Sequence, residues 1–500
     1  MIGRPRADDF RLVLSYTGKV TVGVGFLMVL PLATALCFAE WAVAVDFLVG
    51  LGTAWTIGCG LAWLGATRAR PNWTHGMVTA GVSWLFVMAV AALPYWLSGH
   101  YLGHLDCMFD VMSGFTTTGL TLIQDLDHVS NGLNMWRHVL TFVGGQGIIV
   151  LALTFLVKDA AGGYKLYVGE AKDERLFPSV FHTAKVIWKI SLVYLVAGTI
   201  ALWGAGLAIG LDPVRAFLHG LWIYMAAWST GGFAPMSQNI LYYHSALYEV
   251  LTVVFFVVGS FNFALHHAVW TGNRKEVFRN IETASFAASL TALTVLACWG
   301  LMLLHVYPGA FALFRKGFYQ LISGHTTTGY MTVYARQFAL EWGDIALGAL
   351  IVAMLLGGSA CSTAGGFKGL RIGILFHAVV QETRRLLKPG SAVFVQRFHY
   401  LEDRTLGEQQ VRSAALIVIL YVLTFALTTL AGTLSGFPMT ESAFEAASVT
   451  GNVGLSIGVT TAAMPDALKT TYILVMWAGR LEFMAVLATV GFLLSTVKRR

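Results

Sequence analysis

Four short stretches of this chain pair small polar residues with a closing glycine: Thr116-Thr117-Thr118-Gly119, Ser229-Thr230-Gly231-Gly232, Thr326-Thr327-Thr328-Gly329 and Gly451-Asn452-Val453-Gly454. Glycine admits backbone angles that a side chain crowds out, and Thr or Ser hydroxyls add oxygens or tie one strand to its neighbour. Carbonyls so spaced, gathered from four turns around one axis, replace the water around a dehydrated potassium ion. None of the turns contains a carboxylate, which argues against a calcium-type ring of acids.

Two other features could act on such a path. Gly357-Gly358-Ser359-Ala360-Cys361-Ser362-Thr363-Ala364-Gly365-Gly366 interrupts an apolar run, and each glycine costs a helix about 1 kcal/mol relative to alanine. It reads as an unwound loop below the turns that obstructs the path; a close-packing patch of small residues is the alternative. Arg480 falls inside the last apolar run, with Glu482 two residues on. Residues two apart on a helix do not share a face, so Arg480 is expected to project beneath the turns and repel cations. A guanidinium bound to carbonyls between helices is the other reading.

The elements that hold these residues belong to a membrane protein. Of 500 residues, 56% are hydrophobic and only 12% charged, with mean hydropathy +0.68, where soluble chains are about one quarter charged. Apolar runs such as Val20–Glu40 and Ala415–Phe437 are long enough for about 30 Å of hydrocarbon. The N-terminus, with Arg4, Arg6, Asp8, Asp9 and Arg11, does not read as a cleavable signal. The +7 charge is a topology signal and not a nucleic-acid signature. Basic clusters before Val20, at Arg68 and Arg70, and at 158–189, 274–279, 384–412 and 498–500 put both termini in the cytoplasm by the positive-inside rule. Five scattered cysteines form no CxxC pair and read as apolar fillers. HExxH and paired-Asp patterns are missing, so the chain is not read as an enzyme such as an intramembrane hydrolase.

The pattern divides into a two-span preface, 1–70, and four units at 71–180, 181–278, 279–400 and 401–500. Each unit reads as a span, a short helix (Leu105–Phe115, Pro213–Trp228, Ala310–His325, Thr440–Thr450), a turn, and a second span. Single second spans are expected over Leu133–Val157, Leu247–Trp270 and Thr471–Val497, with the glycine-rich loop, 357–370, inside Ile345–Val380. Aligned on the turn glycines, the position six before is small (Ser113, Ala226, Ser323, Ser448). The position two before is short and polar (Thr117, Thr230, Thr327, Asn452), and the one after is bulky (Leu120, Phe233, Tyr330, Leu455). Nine before stand Asp110, Gln320 and Glu445, with Ile223 the exception; Asp110 and Glu445 are expected to anchor backbone N–H groups, not ions.

With Ser113–Gly119, Gly144-Gly145-Gln146-Gly147-Ile148-Ile149-Val150-Leu151, Gly357–Lys368 and Gly479-Arg480-Leu481-Glu482 in view, the chain resembles the Trk/Ktr/HKT superfamily of potassium transporters, most closely its TrkH/TrkG branch. The resemblance implies an all-α polytopic fold, a pseudo-fourfold repeat of span, pore helix, filter and span behind an N-terminal two-span hairpin. It assigns the filter to Thr117, Thr118, Gly119, Thr230, Gly231, Gly232, Thr327, Thr328, Gly329, Asn452, Val453 and Gly454. Gating falls to Gly357, Gly358, Ser359, Ala360, Cys361, Ser362, Thr363, Ala364, Gly365, Gly366 and Arg480. Four filter glycines imply potassium as the transported ion; a sodium-permeable or Na+/H+-coupled symporter of the same superfamily is the alternative. The resemblance further implies a homodimer in the lipids of the bacterial cytoplasmic (inner) membrane. A cytosolic TrkA-type subunit would supply nucleotide control, since this chain has no nucleotide-binding fold. Ile223 and Gln146 depart from the family's usual polar residue and methionine.

Overall fold

Helix breakers and caps in the sequence account for most element boundaries. The computed structural model describes residues 5–147, 180–387 and 396–497. Residues 148–151 of the Gly144 motif, the far end of the 133–157 span, the basic stretch before 180 and the cluster at 498–500 lie outside these. The preface is Ala7–Leu27 continuing as Val29–Cys37, then Trp41–Leu64. Pro31 cannot donate to the Leu27 carbonyl, and the helix divides there. Glycines let the pair cross closely: a Cβ on Gly18 would sit 2.5 Å from the Gly58 carbonyl oxygen, the close approach that small residues permit in membranes.

The first unit begins with Trp73–Ala91, capped by Asn72, whose Oδ1 accepts from the His75 N–H at 2.9 Å. The other leading spans are Val180–Ala208, Ile281–Leu303 and Glu408–Leu434. The short helices are His104–Phe115, Pro213–Trp228, Ala310–His325 and Met439–Gly451. Pro213 sits at the first helical position, where its missing N–H costs nothing, and Asp212 caps that helix. The third short helix contains a π-helical stretch, Leu313–Phe318, that periodicity did not announce.

The second helices depart from expectation. Leu247–Trp270 is not one span but Ala246–Gly259 and Phe263–Trp270, bent by 99°. Asp466–Arg480 and the helix starting at Met484 are bent by 112°. Asn262 restarts the first pair by accepting from the Ala264 N–H at 2.7 Å. In the second, Glu482 and Phe483 adopt φ of 48° and 65°, outside any helix. The third unit divides as expected, into Gly343–Leu356 and Gly369–Leu386. Among the described residues six helices are long and apolar enough to cross a membrane, or eight with each bent pair counted as one span. Among the described residues the architecture is helical apart from an unexpected antiparallel hairpin, Arg397–Tyr400 with Glu402–Thr405.

That hairpin is docked by a small polar cluster. His399 lies 3.0 Å from Glu276 and 2.6 Å from Asp403, while Glu276 also accepts from the Leu401 N–H at 3.1 Å. The Glu276 hydrogen bond, then that of Asp403, raises the His399 imidazole above its ordinary value against the opposing Arg279 charge. A raised histidine stabilises fully below its unfolded pKa, and the contribution fades as pH rises through the folded value. We therefore expect hairpin amides, corrected for intrinsic exchange rate, to lose protection with rising pH, and His399→Gln to flatten that dependence. Identical pH profiles in parent and variant would disprove the coupling.

Candidate functional site

Each short helix ends in the same way. Thr117, Thr230, Thr327 and Asn452 take left-handed φ of 56°, 50°, 56° and 54°. In the first unit the Thr117 N–H donates to the Gly114 carbonyl and the Thr118 N–H to that of Ser113. The second and third units repeat both bonds, and in the fourth the Val453 N–H donates to the Ser448 carbonyl. This is the Schellman closure of a helix C-terminus, with Thr or Asn where glycine is usual. The residues six before each glycine, Ser113, Ala226, Ser323 and Ser448, supply the carbonyl that the chain folds back upon.

The turn glycines then meet head to tail. A Cβ on Gly119 would collide with the Gly231 carbonyl oxygen, one on Gly232 with that of Thr328, one on Gly329 with that of Val453, and one on Gly454 with that of Thr118. The cycle closes on itself, so equivalent backbone from all four units surrounds one axis. The Thr and Asn side chains here are wholly buried. Asn452 ties the last turn to the first, its Nδ2 donating to Thr118 Oγ1 at 3.1 Å and to the Met476 carbonyl at 3.0 Å.

The polar residues nine before each glycine hold the returning strands. Asp110 accepts from the Leu122 N–H at 2.7 Å and the Thr121 hydroxyl at 2.6 Å. Gln320 Nε2 donates to Thr332 at 2.9 Å. Glu445 takes the Ser456 and Thr460 hydroxyls and the N–H groups of Ile457, Val459 and Thr460. Ile223 offers no such group, and its carbonyl instead accepts the Tyr330 hydroxyl at 2.7 Å. The second strand is held from the neighbouring unit by Arg137, which donates to the Ala234 carbonyl at 3.0 Å and lies 4.5 Å over the Phe233 ring. Nothing in the repeat alignment pointed to Arg137; a lone arginine in an apolar helix was the available signal.

Below the turns runs the segment from Gly357 to Lys368, an irregular path with positive φ at Gly357, Cys361, Gly366 and Lys368. Thr363 Oγ1 lies 2.9 Å from the Gly259 carbonyl oxygen and 3.1 Å from Thr230 Oγ1. The Gly365 N–H donates to Thr327 Oγ1 at 2.8 Å. Ser359 N–H donates to the Ser260 carbonyl at 2.9 Å, and Ala360 N–H to Glu282 Oε1 at 2.6 Å. The loop is thus joined to the left-handed threonines of two turns, to the helix break after Gly259 and to the first turn of Ile281–Leu303.

Arg480 does not simply project into space. Its guanidinium donates to the Thr363 carbonyl at 2.6 Å and to those of Gly144 and Gly145 at 2.6 and 3.1 Å, joining the loop to the first and fourth units. A charge at membrane depth needs such partners. Glu482 pairs with Arg371 and, at 3.5 Å, with Lys368, whose Nζ also donates to the Ala364 carbonyl at 2.8 Å. Lys368 entered the sequence reading only as the end of the Gly357–Lys368 motif, and Arg371 and Glu282 were not singled out. The short ladder of charges around an otherwise apolar run was the missed signal.

Residues 54–495 match the profile of the TrkH family, described as cation transport protein. An uncharacterized cation transporter of Methanocaldococcus jannaschii is 30% identical over 97% of this chain and 96% of its own. The Trk system potassium uptake protein TrkH of Escherichia coli is 28% identical over 96% of this chain and 98% of its own. The crystal structure of the potassium transporter TrkH from Vibrio parahaemolyticus superposes with TM-score 0.81 at 25% identity, covering 96% of this chain and 98% of that one. The chain belongs to the TrkH family of cation transport proteins.

Replacing Glu445 by Gln keeps the shape but turns an NH2 group toward donors. A buried donor left without an acceptor costs about 1–3 kcal/mol, so Glu445→Gln is expected to melt earlier in detergent while Ile223→Val barely shifts. Equal melting of Glu445→Gln and parent would remove the anchoring role.

Proposed function

We propose that this TrkH-family chain takes up potassium through the ring of four turns, which acts as the selectivity filter. The observation that carries the reading is the closed head-to-tail cycle of glycines and carbonyls at Gly119, Gly232, Gly329 and Gly454. Four equivalent backbones around one axis can exchange carbonyl oxygens for the hydration shell of a cation. The short helices end toward that axis, so their negative dipole ends also favour a cation. The names of the Escherichia coli and Vibrio parahaemolyticus relatives, a potassium uptake protein and a potassium transporter, support potassium as that cation.

In this reading Gly357–Gly366 is the gate. Thr363 and Gly365 are bonded to the filter threonines Thr230 and Thr327, so conduction requires the loop to leave them. Arg480 holds the Thr363 carbonyl, adding a fixed positive charge and a tether. Inward movement needs no chemistry: an inside-negative potential of 100 mV favours a unit cation by about 2.3 kcal/mol. The chain works as a homodimer in the bacterial inner membrane, both termini cytoplasmic, under a cytosolic TrkA-type nucleotide-binding subunit. The words "Trk system" in the relatives' names support a multi-component assembly.

Expression with its regulatory subunit is expected to restore growth of a potassium-uptake-deficient bacterium at low potassium, and rubidium should enter proteoliposomes far faster than sodium. Sodium flux equal to or above rubidium flux would favour the sodium-coupled reading instead. Gly329→Ser pushes on the Val453 carbonyl and should raise sodium relative to potassium permeation about tenfold, or ~1.4 kcal/mol. Arg480→Ala frees the loop and should raise flux; a variant that conducts no better than the parent would exclude Arg480 from gating.

A further inference from the structure

A cavity of about 370 Å³ opens between the start of Gly369–Leu386, the hairpin and the first turns of Glu408–Leu434. Arg371, Arg404, Gln409, Gln410 and Ser413 stand around a floor that includes Phe398, and none of the lining residues is acidic. Guanidinium forks match phosphate oxygens bidentately, and amide and hydroxyl donors complete such a shell. The apolar floor would take the uncharged part of the same molecule. Arg404 lies 5.3 Å over the Tyr400 ring and 3.0 Å from Glu402, which sets its guanidinium at the rim.

We propose that this cavity binds an anionic phosphate ester, and that occupancy loosens the loop beneath the turns. Arg371 is shared: it lines the cavity and also pairs with Glu482. Glu482 pairs in turn with Lys368, which donates to the Ala364 carbonyl of the loop. A phosphate drawing on Arg371 leaves Glu482 to Lys368 alone, and Lys368 then gives up its hold on Ala364. The phosphate is carried either by an anionic phospholipid headgroup or by a soluble anion. Binding stands apart from the uptake reading, whereas the effect on flux rests on it.

The full chain in phosphatidylcholine nanodiscs separates the two sources. Melting temperature is followed with inorganic phosphate added, and separately with phosphatidylglycerol in the bilayer. A rise with phosphatidylglycerol alone identifies the headgroup, and a rise with phosphate identifies a soluble anion. Either rise should need about tenfold more anion in Arg404→Glu and return in part in Arg404→Lys, with melting in neutral lipid unchanged. Should Arg404→Glu itself melt early, Gln409→Glu at the exposed rim is expected to lose the same response. No rise with either anion, or an undiminished rise in these variants, overturns the site. In proteoliposomes the effective anion should increase rubidium flux in the parent and not in Arg404→Glu. Absence of rubidium flux under every condition would defeat the uptake reading while leaving the melting result to decide the site.

Discussion

The contact on which the remaining structure depends is a backbone glycine pressed against a neighbouring carbonyl oxygen, repeated around a closed cycle. None of Gly119, Gly232, Gly329 and Gly454 has room for a Cβ, because the next unit's carbonyl occupies that space. All four have positive φ, so a side chain there is strained by conformation as well as by contact. Closure makes the constraint collective: displacing one carbonyl shifts the seat of the next glycine. The anchors Asp110, Gln320, Glu445 and Arg137 then hold each returning strand from outside.

Irregular backbone at membrane depth survives only where its polar groups find partners or line a wet cavity. The segment below the turns meets that demand through Ser260, Glu282, Thr327, Lys368 and Arg480. Its partners come from the second, third and fourth units, so the loop's position depends on several units at once. The same bonds that satisfy it also hold it in place. Under the gating proposed above, opening the loop would exchange these bonds for water.

Much of the site was legible in the chain because the repeat is built from short-range geometry. A helix C-terminus that folds back by a Schellman closure needs a left-handed residue at a set offset, and short polar residues recur in register there at Thr117, Thr230, Thr327 and Asn452, each two before a glycine. The glycine-rich interruption from 357 was equally visible, since such a run is a poor helix. The bends after Gly259 and Arg480 were not visible. Phe261, Asn262, Leu481 and Glu482 sit in apolar stretches long enough to span unbroken, and hydropathy reports composition, not direction.

The sequence by itself determined that this chain is a helical membrane protein with four equivalent turns, because hydropathy, basic-residue placement and turn chemistry act over a few residues. Tertiary structure alone decided that the turns close into one cycle and that Arg480 spends its donors on Thr363, Gly144 and Gly145. It also decided that Glu482 answers Arg371 and Lys368 across more than a hundred residues of chain. The physical reason is that a buried charge or carbonyl is satisfied by whatever packing brings within about 3 Å, and that distance is written nowhere in the order of residues.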